Sequence, residues 1–308
     1  MRLENIAAYL LLAVTWGLSF LVILKVVHVF GWIGAVSLRA LVASATLLVI
    51  AVGARRKIGF KARWRDFAVV GATTVAGQLI GLSFATPRIG TAMAAILVAT
   101  IPLFSMIIGH MRGLERITLQ GLMGLAFGIA GIVLLVGFPS VPFTSTFASG
   151  CVSSLLGSLC AAIGSNYTSS RLKNVGSLEV TAGSFLFGGL FTLPLVALAP
   201  VASVPHIVDY GYLLVLGSVM SGFAYVVYFK LVSAIGATRA ISVEFAVTVV
   251  AVLVGALLLG ENLSNAQIIG AVIIMSGCAL VLGSVPGGRR RRVERYRPAC
   301  SAARRDRA

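Results

Sequence analysis

Charge is scarce in this sequence. Asp, Glu, Lys and Arg make up 11% of its 308 residues, while 58% are hydrophobic. A soluble domain carries about 25% charged residues. Too few polar side chains remain to cover a water-exposed surface, so the natural solvent is a lipid bilayer. Acids are the scarcest charged class, with nine in all. Glu244 alone lies well inside an apolar run, so no carboxylate pair is available for acid–base catalysis within the membrane. No GxxxxGK[ST] phosphate loop and no HExxH helix is present, which argues against ATP hydrolysis and metalloprotease chemistry. The four cysteines, Cys151, Cys160, Cys278 and Cys300, form no CxxC pair. On one helix Cys151 and Cys160 would stand about 13 Å apart, beyond disulfide reach. No enzyme activity, metal or cofactor is expected.

The formal net charge is +16. It does not imply a nucleic-acid partner, because the basic residues are not interleaved with aromatics. They occupy short gaps between apolar runs and one terminal tail. The first apolar stretch, 6–29, exceeds the core of a signal peptide and has no small-residue cleavage site after it. It is expected to be a retained span.

Ten apolar windows follow one another, at about 6–27, 33–53, 67–85, 91–111, 117–137, 149–169, 179–199, 210–230, 240–259 and 266–284. Each is long enough to cross about 30 Å of hydrocarbon. With the N-terminus inside, 22 of the 25 Lys and Arg fall on the inner side; Lys25, Arg39 and Arg88 are the exceptions. The positive-inside rule therefore favours cytoplasmic N- and C-termini in the cell membrane. The arginine-rich tail, 285–308, is expected to be disordered and to lie at anionic lipid.

A shift of 146 residues lays 90–137 on 236–283. Gly90, Ala94, Gly109, Glu115, Gly124, Gly131, Leu134 and Gly137 meet Gly236, Ala240, Gly255, Glu261, Gly270, Gly277, Leu280 and Gly283. Each copy reads as a helix, a turn with Glu, and a helix with glycines seven apart, suited to close backbone approach. Five spans per half is an odd number, so the halves run in opposite senses. The expected fold is all-α, with ten transmembrane helices in two inverted repeats at 6–137 and 149–284. In such folds the solute site lies near the midplane between the repeats.

The candidate site residues are the polar and aromatic groups within spans. Trp16, Ser19 and Phe20 share one helix face, as a cavity wall or as ordinary packing. Arg39 either snorkels to headgroups or faces an aqueous cavity and holds a carboxylate. Glu244 is either a hydrogen-bonded structural acid or a cation or proton site. Gln78, Asn166, Tyr167, Tyr225 and Tyr228 serve singly as interhelical glue, or together as the lining of one cavity. Pro102 permits a kink in the fourth span; the aligned residue in the second copy is Thr248, so a kink would be asymmetric.

These features resemble the EamA family of the drug/metabolite transporter superfamily. The resemblance rests on Trp16-Gly17-Leu18-Ser19-Phe20, Arg39, Ile101-Pro102-Leu103-Phe104 and Leu259-Gly260-Glu261-Asn262-Leu263-Ser264 with the Gly270 to Gly283 helix. It implies spans 1–4 and 6–9 around a central cavity, spans 5 and 10 peripheral, and export of amino acids, other metabolites or toxic compounds. Two departures bear on the symmetry of gating: Gly113-Leu114-Glu115 replaces the family's Leu-Gly-Glu, and the family's proline in the ninth span is absent. The expected function is secondary transport of a small-molecule solute by alternating access. The alternative is a membrane scaffold or receptor that transports nothing. Substrate, direction, coupling and oligomeric state are not set by these features.

Overall fold

The computed structural model describes residues 3–55, 59–112, 118–137, 143–199, 203–235, 237–241 and 243–284. The arginine-rich tail and Glu115 lie outside the described residues. Among those residues the chain is helical and has no strand. Its ten apolar helices are α1 (Leu3–Phe30), α2 (Trp32–Gly53), α3 (Arg63–Ile89), α4 (Thr91–Met111), α5 (Leu119–Gly137), α6 (Ser145–Arg171), α7 (Ser177–Ala197), α8 (Ile207–Ile235), α9 (Val243–Leu258) and α10 (Asn265–Ser284). Seven are long and apolar enough to cross a membrane; α5, α9 and α10 have shorter apolar stretches. The side bearing Leu3 is called here the proximal face, and the side bearing Phe30 and Gly90 the distal face.

Helix pairing follows the repeat. The pairs α5–α10, α2–α7 and α4–α9 join equivalent helices of the two halves; α1–α9 is mirrored by α6–α4, and α2–α8 by α7–α3. The glycine spacing has a direct consequence at α5–α10. A Cβ on Gly131 would stand 2.7 Å from the Gly270 carbonyl oxygen, and a Cβ on Gly277 would stand 2.6 Å from that of Gly124. The two contacts are one contact seen from each half. Lipid tails give helices no hydrophobic reason to associate, so close backbone contact carries this interface.

Two irregularities also obey the repeat. Residues Gly71–Gly77 of α3 and Val215–Phe223 of α8 are π-helical. The shift of 146 lays 71–77 on 217–223. π segments widen a helix by one residue and free backbone groups from the regular ladder, often at functional sites. The break in α4 falls at Ala99–Thr100, with Pro102 in the first turn of the continuing helix. The aligned residues 245–246 lie inside continuous α9. The kink is therefore asymmetric: Pro102 supplies no amide hydrogen, while Thr248 bonds the carbonyls of Glu244 at 2.7 Å and Ala95 at 3.0 Å.

The halves are also joined at the distal face. The Glu261 carboxylate accepts hydrogen bonds from the backbone N–H of Thr91 (2.7 Å), the Thr91 hydroxyl (2.8 Å) and the backbone N–H of Ala92 (2.8 Å). It thereby satisfies the first turn of α4, whose amides have no partner within the helix. Gly90 precedes that turn at φ 84°, a conformation suited to glycine.

Candidate functional site

Two small cavities lie between the halves, one above the other along the helix axes. The distal one is lined by Trp16, Ser19, Phe20, Arg39, Gln78, Leu79, Leu82, Val98, Tyr225, Glu244 and Val247. The proximal one is lined by Trp16, Gln78, Ile101, Ala161, Ser165, Tyr225, Tyr228, Ile241 and Glu244. Trp16, Gln78, Tyr225 and Glu244 form the partition that both share. The space open to water-sized bodies is about 30 Å³ and 10 Å³ respectively. A pocket for a metabolite occupies about 300 Å³ or more, so this arrangement is closed.

Arg39 is 3% exposed. It does not snorkel. Its Nε donates to the Ser221 hydroxyl, and that hydroxyl donates to the Leu216 carbonyl at 2.7 Å, five residues back. This i to i−5 contact exists because α8 is π-helical here. The Nη1 atom of Arg39 is buried and has no hydrogen-bond partner. A buried guanidinium nitrogen without a partner is costly.

The same π segment holds Trp16. The indole Nε1 donates to the Met220 carbonyl at 3.1 Å. The ring lies 5.0 Å from Tyr225 and 5.3 Å from Tyr228, centroid to centroid. Phe185 adds an edge-on contact to Tyr225 at 5.0 Å. The Tyr228 hydroxyl shares a 2.9 Å hydrogen bond with Ser165, and the Tyr225 hydroxyl makes a long contact to Gln78 Oε1 at 3.5 Å. Ser19 is turned back on its own helix, donating to the Trp16 carbonyl at 2.7 Å.

Glu244 is 6% exposed. Among the described residues its carboxylate has no hydrogen-bond partner, and no ion pair joins it to Arg39. The cavity walls thus hold one basic and one acidic group apart. A neutralised Arg–Glu pair would have made a simple structural bridge.

Asn166 and Tyr167 line neither cavity. Asn166 lies between α6 and α4, donating to Ser105 Oγ at 2.8 Å and to the Ala162 carbonyl at 2.9 Å. Tyr167 points to the proximal end of α3, where its hydroxyl donates to Asp66 at 2.7 Å. Ser221 and Ser165, absent from the sequence-based set, belong to the cavity through their bonds to Arg39 and Tyr228.

This is a helical membrane fold with an occluded polar and aromatic chamber between repeats, the organisation of a membrane transporter. The model of the EamA-like transporter family matches residues 4–137 and 148–283, and the chain belongs to that family. An uncharacterised transporter of Archaeoglobus fulgidus is 24% identical over 280 residues, covering 89% of this chain and 98% of that protein. The protein PecM of Dickeya dadantii is 27% identical over 237 residues, covering 75% and 77%. A Streptantibioticus cattleyicolor protein named "Probable terminal-alkyne amino-acid exporter" is 26% identical over 298 residues, covering 92% and 95%. One solved structure shares the fold with a TM-score of 0.66 at 18% identity, over 91% of this chain and 96% of that one.

Proposed function

We propose that this transporter is a secondary carrier that exports a small zwitterionic metabolite, an amino acid or a related compound, by alternating access. The observation that supports this most is one buried chamber holding both an unsatisfied Arg39 Nη1 and a Glu244 carboxylate that has no hydrogen-bond partner among the described residues. A zwitterion satisfies both: its carboxylate meets the guanidinium and its ammonium meets the acid. The Trp16, Tyr225 and Tyr228 rings then accept an apolar side chain or a cation face. The amino-acid exporter name of one relative agrees with this substrate class. Because the chamber is closed, binding requires the halves to part. The π segments of α3 and α8 flank it and are the natural flexing points. The proposed orientation places both termini in the cytoplasm, with 22 of 25 basic residues on that side.

The test is counterflow of a panel of radiolabelled L-amino acids in proteoliposomes. Flux of at least one amino acid, abolished by Arg39→Ala with normal expression and folding, is the expected result. Wild-type flux in both Arg39→Lys and Arg39→Gln removes Arg39 from the site. No counterflow across the panel overturns the substrate class.

A further inference from the structure

Among the described basic residues, Lys25, Arg39 and Arg88 escape the proximal side. Arg39 lies in the chamber. The other two line one depression on the distal face, together with Leu24, Val27, His28, Trp32, Thr146, Asp209 and Tyr212 among others. The depression measures about 950 Å³ and takes walls from α1, α2, α3, α6 and α8, with Ala199 just past α7, so that both halves contribute. Its floor lies close above the chamber roof. Lys25 is five residues beyond Phe20 on α1, and Arg88 six beyond Leu82 on α3, about 8–9 Å along the axes. Lys25 and Arg88 thus stand about one and a half helical turns distal of residues that line the Arg39 cavity.

Arg88 is held back against its own helix, while the exposed Lys25 leans over an aromatic ring. Arg88 donates through Nη1 to the Phe84 carbonyl at 2.7 Å and its guanidinium lies 3.5 Å from the centre of the Phe84 ring. Phe84 is itself held edge-on by Trp32 at 5.1 Å. Lys25 Nζ sits 5.2 Å from the centre of the Tyr212 ring. The aromatic contacts draw both charges toward the depression wall, Arg88 more firmly than Lys25. The one acid there, Asp209, is already engaged, accepting from the His206 backbone N–H at 2.8 Å. The depression therefore holds two cations against one carboxylate, a net positive lining, with His28 also in its wall.

We infer that the distal depression is a second anion site, which receives the carboxylate end of the solute between Arg39 and the distal medium. The class of ligand rests on the carboxylate reading of Arg39; the site itself rests on Lys25 and Arg88. A stepping-stone cation shortens the path over which a carboxylate is without a counter-charge. It also raises the local anion concentration at the mouth.

The site is testable without a known substrate. In a background with all four cysteines replaced, Thr146→Cys or, separately, Ala199→Cys places a thiol in the depression wall. Modification rates are measured in phosphatidylcholine nanodiscs with an anionic sulfonatoethyl and a cationic trimethylammonioethyl methanethiosulfonate. The anionic-to-cationic rate ratio should fall about tenfold in Lys25→Gln/Arg88→Gln. Millimolar succinate, at constant ionic strength, should slow labelling; succinamide should not; and the double substitution should remove the protection. Equal protection by both compounds, or none by succinate at either thiol, overturns the proposal. Protection that appears only with phosphatidylglycerol in the disc assigns the cations to a lipid headgroup and overturns the solute site. Arg39→Gln leaves the labelling unchanged, so failure of the chamber reading is seen separately, as unaltered flux.

Discussion

Replacing Glu261 by Gln should loosen the distal junction of the two halves. The carboxylate receives three donors, two backbone N–H groups and the Thr91 hydroxyl, at 2.7–2.8 Å. A glutamine presents one oxygen and one NH₂. Whichever way the amide is turned, its NH₂ faces an N–H that needs an acceptor. Hydrogen bonds to a charged group contribute about 1.5–3 kcal/mol each, and loss of a helix N-cap costs about 1 kcal/mol. The amide keeps about half of the contacts, so a loss of about 2–4 kcal/mol is expected. For a chain of this size that lowers the midpoint of thermal unfolding by roughly 5–10 °C. The assay is thermal denaturation of detergent-purified protein, read by tryptophan fluorescence.

Thr91→Val provides the control. It removes one of the three donors and leaves both backbone amides. Alone it should cost about 1 kcal/mol. Combined with Glu261→Gln it should cost less than the sum, because the hydroxyl has already lost its carboxylate partner. Additive losses, or a Glu261→Gln midpoint within 1–2 °C of the parent, would refute the capping argument.

Glu244→Gln should leave solute exchange intact but remove the pH dependence of net flux, if this carboxylate carries the coupled proton. An unchanged pH profile with lowered yield would make it structural. Gly131→Leu should destabilise the α5–α10 contact by about 1–3 kcal/mol, read as a lower unfolding midpoint, since a Cβ there already meets Gly270 O at 2.7 Å. In a cysteine-free background, Arg63→Cys should label from the cytoplasm and Val204→Cys from outside; reversed labelling would sink the proposed orientation.

The spans were legible because apolar length is a strong signal, and the main differences lie at helix ends. Polar and capping residues extend α3 to Arg63–Ile89 and α8 to Ile207–Ile235, beyond their apolar windows. The glycine repeat was equally informative, since Gly124, Gly131, Gly270 and Gly277 have no side chain to hide the contact they make. Asn166 and Tyr167 show the limit. They are adjacent on α6, yet one is fixed by Ser105 of α4 and the other by Asp66 of α3. A helix with polar groups on several faces does not announce which face meets a cavity. Ser221 was invisible for a different reason. It is 182 residues from Arg39, and it reaches Arg39 and the Leu216 carbonyl through a π turn that no residue pattern in α8 advertises.

That π turn also separates what is symmetric in this molecule from what is not. Both halves carry a π segment at matching positions, and the inter-half helix pairs obey the same repeat. Packing of two similar halves favours this, because a contact that works once works again when the halves are exchanged. The chamber breaks the rule. In α8 the π segment supplies Ser221 to Arg39 and the Met220 carbonyl to Trp16. In α3 the residue aligned with Ser221 is Val75, fully buried, with no hydroxyl to offer. The residue aligned with Tyr225 is Leu79, and that aligned with Tyr228 is Leu82, both apolar lining residues of the distal cavity. A solute with one acidic end, one basic end and one apolar body has no two-fold axis of its own. A symmetric chamber would offer it duplicated charges, half of them left unsatisfied when it bound. Under the proposed transport of a zwitterion, unequal polar groups suit an asymmetric solute, while matched π segments and interfaces suit a rocking motion of the halves.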